Sequence, residues 1–270
     1  MNTPAQAGSA QRKEQRIKSL KSHRTGAPTT RAREKEAITL AWLGVFGTLT
    51  TPMVKLLLAI EGDGYLPKLQ RDGLVQCQAV GKMIQKVWTL TPQGLVAAEL
   101  ILGWEASRVR ADRLNVSIAT HDELGQLAAL RLLQGYNSVS VNAIRRLHAE
   151  RDLRQKGIAA PDVVIEGTYK ETGGLSWYAI EIETSHKGDR ELRAKMVRLI
   201  ELLVQHERCD RLRVAWYLDG EKPKLRYLRV WEEALNEVKG HIRSDAYPAK
   251  AKERMQTLPY PTCSVHDLPK

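Results

Sequence analysis

The chain has 270 residues, 42 Lys and Arg against 31 Asp and Glu, and a formal charge of +11. That excess favours a polyanionic partner, nucleic acid or an acidic membrane surface. An ordinary globular mixture of 43% hydrophobic and 27% charged residues argues against a disordered chain. The cysteines, Cys77, Cys209 and Cys263, are scattered and odd in number, which excludes a disulfide framework and a C-x-x-C zinc site. Residues 37–54 carry no formal charge, the lower edge of a membrane-spanning length. Gly44, Gly47 and Pro52 break that run, so two short buried helices are expected instead of a span. No early apolar core follows the basic N-terminus, so no secretory signal, no membrane insertion and a cytoplasmic location are expected.

Residues 1–35 read as a basic arm holding Arg12, Lys13, Arg16, Lys18, Lys21, Arg24, Arg31, Arg33 and Lys35. Such an arm is a solvated tail, or gains affinity by displacing counterions from a nucleic-acid backbone. Residues 36–105 read helix, break, helix, turn, helix, hairpin. Ile38, Leu40, Ala41, Leu43 and Val45 mark the first helix, and Thr51 is expected to cap the second. A third helix is predicted from Tyr65 to Asp72, ending at Gly73 with Pro67 in its first turn. Strands follow at 74–78 and 87–90, then a Leu/Ala-rich helix opening at Thr91-Pro92. This order, with Leu69–Val75 and Leu90–Gly94, resembles a winged helix-turn-helix. The resemblance implies a third helix in the major groove. Lys68 and Arg71, three apart on that helix, and Lys82 and Lys86 of the ribbon join Arg12 and Arg16 as DNA-binding candidates. The other use of such a unit is protein contact.

Residues 106–242 alternate helices and strands. Helices are expected at 123–133, at 143–155 and at 189–205, where Leu192, Met196, Leu199, Ile200 and Leu203 form an inner stripe. Strands are expected at 163–165, 177–183, 212–218 and 225–230, the first two joined across Gly173-Gly174. Residues 243–270, with four prolines, read as an irregular tail.

The informative passage is Pro161-Asp162-Val-Val-Ile165 with Trp177-Tyr-Ala-Ile-Glu181-Ile-Glu183. Strand alternation turns Tyr178, Ile180 and Ile182 to one face and Glu181 and Glu183 to the other. Asp162 opens the partner strand and can sit beside them. Converging carboxylates repel unless a cation bridges them, and Mg²⁺ or Mn²⁺ suits an all-oxygen site. Such an ion polarises a phosphoryl oxygen and generates hydroxide near neutral pH. The bland counterpart is an exposed strand face with two solvated glutamates.

Pro161-Asp162 followed by Glu181-x-Glu183 resembles the PD-(D/E)xK nuclease superfamily, with Glu183 where lysine is usual. The resemblance implies a restriction-endonuclease-like α/β domain with a mixed sheet, Asp162 and Glu181 on the metal, and Glu183 as ligand or general base. A migrated lysine, Lys187 or Lys195, would stabilise charge at the phosphorus. A second resemblance rests on motif order: Ala119–Leu124 with His121, Arg145–Arg154 with Glu150, then Pro161-Asp162, Glu181–Ser185 and Lys195. This order is similar to the replication-relaxation family and the MOBC class of plasmid mobilisation relaxases. It implies a protein that binds double-stranded and locally melted DNA at a plasmid origin, nicks it, and works with other relaxosome or coupling proteins. Glu150 would be auxiliary to the metal cluster, or a helix partner of Arg146 or Arg154. His121 would contact a phosphate, shuttle a proton, or simply pack at a helix start. The other class of function is a non-catalytic accessory or replication regulator on a nuclease-like scaffold; the absent x-K lysine favours it. An ordinary double-strand endonuclease is a third. No P-loop and no three-histidine cluster is present in the sequence.

Overall fold

A computed structural model describes residues 28–62, 65–80, 85–109, 116–135, 139–150, 153, 161–168, 175–183, 187–205, 211–218 and 222–242. Met1–Glu36 and Ala37–Lys270 are separate compact units. The architecture is mixed α/β, with one three-stranded and one four-stranded sheet. Among the described residues no helix is long and apolar enough to cross a membrane.

Helix α1 (Pro28–Phe46) starts inside the stretch expected to be an arm and is one long helix, not a short one. Its C-terminal half is buried without a polar side, from Leu40 to Phe46, and Trp42 packs on Phe46 at 4.8 Å between ring centroids. Burial of such side chains contributes about 1.5–3 kcal/mol each. The break comes at Gly47, as expected, where φ is 77°. Strand β1 (Leu49–Thr50) then leads directly into α2 (Thr51–Leu58). The cap is Thr50, not the expected Thr51: Thr50 stays extended and its Oγ1 accepts from the Met53 N–H at 3.3 Å. Thr51 is already helical, and its hydroxyl takes the Trp88 indole N–H instead.

Helix α3 (Tyr65–Arg71) buries Leu66 and Leu69 and ends, as expected, at Gly73. Strands β2 (Val75–Val80) and β3 (Gln85–Leu90) pair antiparallel with β1 on the far side of β3. Thr91 caps α4 (Pro92–Leu102) and crosslinks the turn, accepting from Gly94 N–H and donating to the Gly73 carbonyl at 2.6 Å. A Cβ at Gly94 would lie 1.9 Å from the Leu74 carbonyl oxygen, so only glycine lets α4 meet β2 this closely.

The second sheet has the order β4-β5-β6-β7. Helix α5 (Val116–Gly135) starts before the predicted 123–133. The single helix expected over 143–155 is interrupted: a turn of helix, α6 (Val141–Ile144), and strand β4 (Leu147–Ala149) come first, and residues 150 and 153 are helical. Leu147 and Ala149 are buried and alternate about His148, a period of two that a longer Arg-rich helical pattern masked. Strands β5 (Val163–Thr168) and β6 (Leu175–Glu183) form the expected antiparallel pair, while β7 (Arg211–Leu218) runs parallel to β6. The connection is α7 (Asp189–Gln205). The strand expected over 225–230 is instead the start of α8 (Lys222–Ile242). Its buried residues, Tyr227, Val230, Trp231, Ala234, Leu235 and Val238, follow the helical three-and-four spacing.

Both faces of this sheet are covered. Val163, Ile180 and Ile182 belong to the core shared with α1–α5. Val164 and Ala179 belong to a second core built with α7 and α8. The Gly173-Gly174 turn and the tail at 243–270 lie outside the described residues.

Candidate active site

Val163 pairs with Ile180, so Asp162, one step before β5, comes level with Glu181 on β6. Alternation turns Glu181 toward the same layer as Ala179, the one formed by α7 and α8. At Glu181 the strand face is not solvated: the side chain is 2% exposed. Lys195, two turns into α7, reaches its Oε2 with the ammonium at 2.6 Å. Of the two lysine candidates, Lys195 is the one placed at the carboxylates. Lys187 lies before α7, where its carbonyl accepts from the Arg226 guanidinium.

Asp162 is fixed by the strand beside it. Its Oδ2 accepts from the Ile182 N–H at 2.6 Å. Its Oδ1 faces His121 Nε2 at 3.6 Å, and the same ring nitrogen lies 3.3 Å from the Ile182 carbonyl. With its proton on Nε2, the imidazole donates to the Ile182 carbonyl. His121 lies within α5, not before the helix. Side-chain exposure rises from 3% at Glu181 through 10% at Asp162 to about a third at Lys195 and His121, so the cluster opens toward these two side chains.

The electrostatics follow from this burial. The Glu181 carboxyl is pushed up to about 8, first by desolvation and next by the Asp162 carboxylate, with Lys195 opposing both. Glu181 Oε2 is sealed from solvent and, apart from that ammonium, has no hydrogen-bond partner. Two adjacent carboxylates have the chemistry of ligands for a hard cation. Among the described residues no three His, Cys, Asp or Glu side chains stand together as a complete metal site. The Glu183 side chain lies outside the described residues, though its backbone closes β6. Glu150 follows β4 directly and is itself helical, and its N–H donates to the Asp162 carbonyl at 2.9 Å.

A polar linkage not anticipated from the sequence ties α5 to the first sheet. Trp42 Nε1–H donates to Gln126 Oε1 at 2.8 Å, and Gln126 Nε2–H donates to the Thr48 carbonyl at 3.0 Å. The Thr48 and Thr50 hydroxyls donate to Asp122 and Glu123. The available signal was His121-Asp122-Glu123, three polar residues early in an otherwise apolar helix.

Of the basic candidates, Lys68 and Arg71 are exposed on α3, Lys68 in a 3.2 Å pair with Asp72. Lys86 is exposed on β3. Lys82, Arg12 and Arg16 lie outside the described residues. Comparison of the chain with family models, curated proteins and solved structures finds no match.

Proposed function

We propose that the protein binds plasmid-origin DNA through a winged helix-turn-helix unit and nicks one strand by cation-dependent hydrolysis in a PD-(D/E)xK-like domain. The carrying observation is the meeting of Lys195 with Glu181 at 2.6 Å, beside Asp162 on the neighbouring strand. A lysine from the following helix compensates for the glutamate at position 183. Asp162 and Glu181 would hold Mg²⁺ or Mn²⁺, with Glu183 next on the same strand. When bound, the cation supplies a polarised phosphoryl oxygen and an acidified water. The chain's own residues supply the rest. The Ile182 N–H orients Asp162, Lys195 offsets charge accumulating at phosphorus, and His121 fixes the outer edge of Asp162. The exposed positions of Lys68, Arg71 and Lys86 support the groove-binding role of α3 and the ribbon.

One observation favours the accessory reading. Lys195 closes on the buried Glu181 carboxyl as an ion pair, which is also how a purely structural pair looks. Supercoiled DNA carrying the cognate origin, incubated with protein and Mg²⁺ or Mn²⁺, separates the two. Open circles that vanish in Asp162→Ala are the expected result. Linear product indicates a double-strand cutter, and a gel shift without strand breakage indicates the accessory protein.

A further inference from the structure

Helix α7 treats its charges unequally. Toward α8 they are matched: Arg193 with Glu237 at 2.5 Å, Glu201 with His241 at 3.2 Å, and Asp189 with both Arg226 and Arg229. The two arginines hold the Asp189 carboxyl below its ordinary range through their hydrogen bonds, so this acid is neutralised at the helix start. The other two arginines of α7 break this pattern. Arg190 and Arg198 are exposed, and among the described residues neither has a carboxylate partner. Ala194 lies between them on the same face and is itself exposed. Positions i, i+4 and i+8 form one stripe about 12 Å long, at 1.5 Å of rise per residue. Lys195, adjacent to Ala194, leads from this stripe to Glu181.

We propose that the outer face of α7 is a docking strip for the sugar–phosphate backbone of DNA, with Arg190 and Arg198 as its phosphate anchors. This deepens, and rests on, the DNA-cleaving reading given above. Two guanidiniums about 12 Å apart span roughly three to four nucleotides at 3.4 Å of axial rise per strand. Arginine suits the task because its planar donor fork grips phosphate oxygens in pairs. The small Ala194 lets a backbone approach between the anchors, and Lys195 faces the phosphate delivered to the carboxylates. Glu191 is exposed on the same helix, one turn before Lys195, and opposes binding.

The test is the salt dependence of binding, which needs no catalytic turnover. Fluorescence anisotropy with a labelled duplex, across a KCl series in EDTA, gives the slope of log K against log salt. Arg190→Ala/Arg198→Ala should make the wild-type slope shallower by about 1.8, because each duplex phosphate contact contributes about 0.9. Arg193→Ala, which removes a cation already matched by Glu237, should leave it unchanged. Glu191→Gln should raise affinity at low salt. Both anchors are exposed, and circular dichroism checks that each variant retains its helices. If the double variant keeps the wild-type slope while Arg71→Ala/Lys86→Ala reduces it, the strip is wrong and the DNA-binding reading stands. If the wild-type protein shows no salt-dependent DNA binding, both fall together.

Discussion

The two sheets handle their polar groups in opposite ways. Around the three-stranded sheet, side chains at element ends are satisfied by the adjacent helix start and by neighbouring elements. Thr50 bonds Met53 N–H, and Thr91 serves both Gly94 and Gly73. Around the four-stranded sheet, Glu181 is buried beside another carboxylate and is met by a lysine from a separate helix. A satisfied hydrogen-bond network makes the first region a rigid support. The second region accepts an unfavourable burial at one spot, and perturbed carboxyls of this kind are characteristic of sites that do chemistry. If that difference is functional, variants around Glu181 should change activity far more than stability, and variants around the first sheet should do the reverse.

The largest effect is expected from Lys195→Met, which keeps the stem of the side chain and removes the charge. Nicking of origin DNA should fall by about 10²–10³-fold, the range for loss of one preorganised electrostatic stabiliser. Binding to the same DNA in EDTA should change by no more than one phosphate contact. A nicking rate within about threefold of wild type would put the catalytic contrast between the regions in error. In the first region, Gly94→Ala should act on stability alone. Its Cβ would meet the Leu74 carbonyl oxygen at 1.9 Å, backbone against backbone, with no flexible end to yield. A loss of about 3 kcal/mol or more, the upper range for overpacking, should appear in urea unfolding.

The same contrast decided what was legible in the sequence. The first region was read almost element by element, because caps, Gly47, Gly73 and Thr91-Pro92 act within one turn of chain. Its errors were small ones, such as the cap residue and the early start of α1 at Pro28. The sheet region was read well where alternation was strong, over β5 and β6. It was misread at β4, whose three residues gain their strand identity only by pairing with β5. It was misread again at α8, where a strand expected over 225–230 gives way to a buried set through Val238 with the longer helical period. For the site, the pairing of Asp162 with Glu181 was legible from strand spacing. The burial of Glu181 was not, because it depends on α7 and α8 covering the second face of the sheet.

A smaller effect, and one with a definite sign, follows from Glu181. In the folded protein its carboxyl titrates at about 8, against an ordinary value of 4.5. Between those values the unfolded chain has released a proton that the folded chain keeps. The folded state therefore binds more protons, and its stability falls as pH rises. The contribution is fully present below about 4.5 and lost once pH passes about 8. Its limiting slope is about 1.4 kcal/mol per pH unit for one proton. Glu181→Gln removes the ionisable group, so urea unfolding in EDTA across pH 5–9 should give a flatter profile than wild type. Parallel profiles would mean that Lys195 keeps Glu181 ionised throughout, and the second region would lose its distinguishing strain.

The smallest effect separates two adjacent threonines at the start of α2. Sequence pattern favours Thr51 as the cap, since Pro52 follows it directly. Geometry assigns the cap to Thr50, whose backbone is extended at φ −94°, ψ 157°, and whose Oγ1 accepts from Met53 N–H. The same hydroxyl donates to Glu123 on α5 at 2.9 Å, so Thr50 serves both a local end and a distant helix. Valine replaces either threonine with nearly the same shape and no hydroxyl. Thr50→Val should cost about 1–2 kcal/mol, because it leaves a buried N–H without its cap and a partly buried Glu123 with one bond fewer. Thr51→Val removes only the 3.1 Å bond from Trp88 Nε1, and should cost about 0.5–1 kcal/mol. Urea unfolding of the two variants side by side fixes the order. A larger loss at Thr51 would return the cap to the residue that sequence pattern prefers, and the link from Thr50 to α5 would then carry no measurable share of the first region's stability.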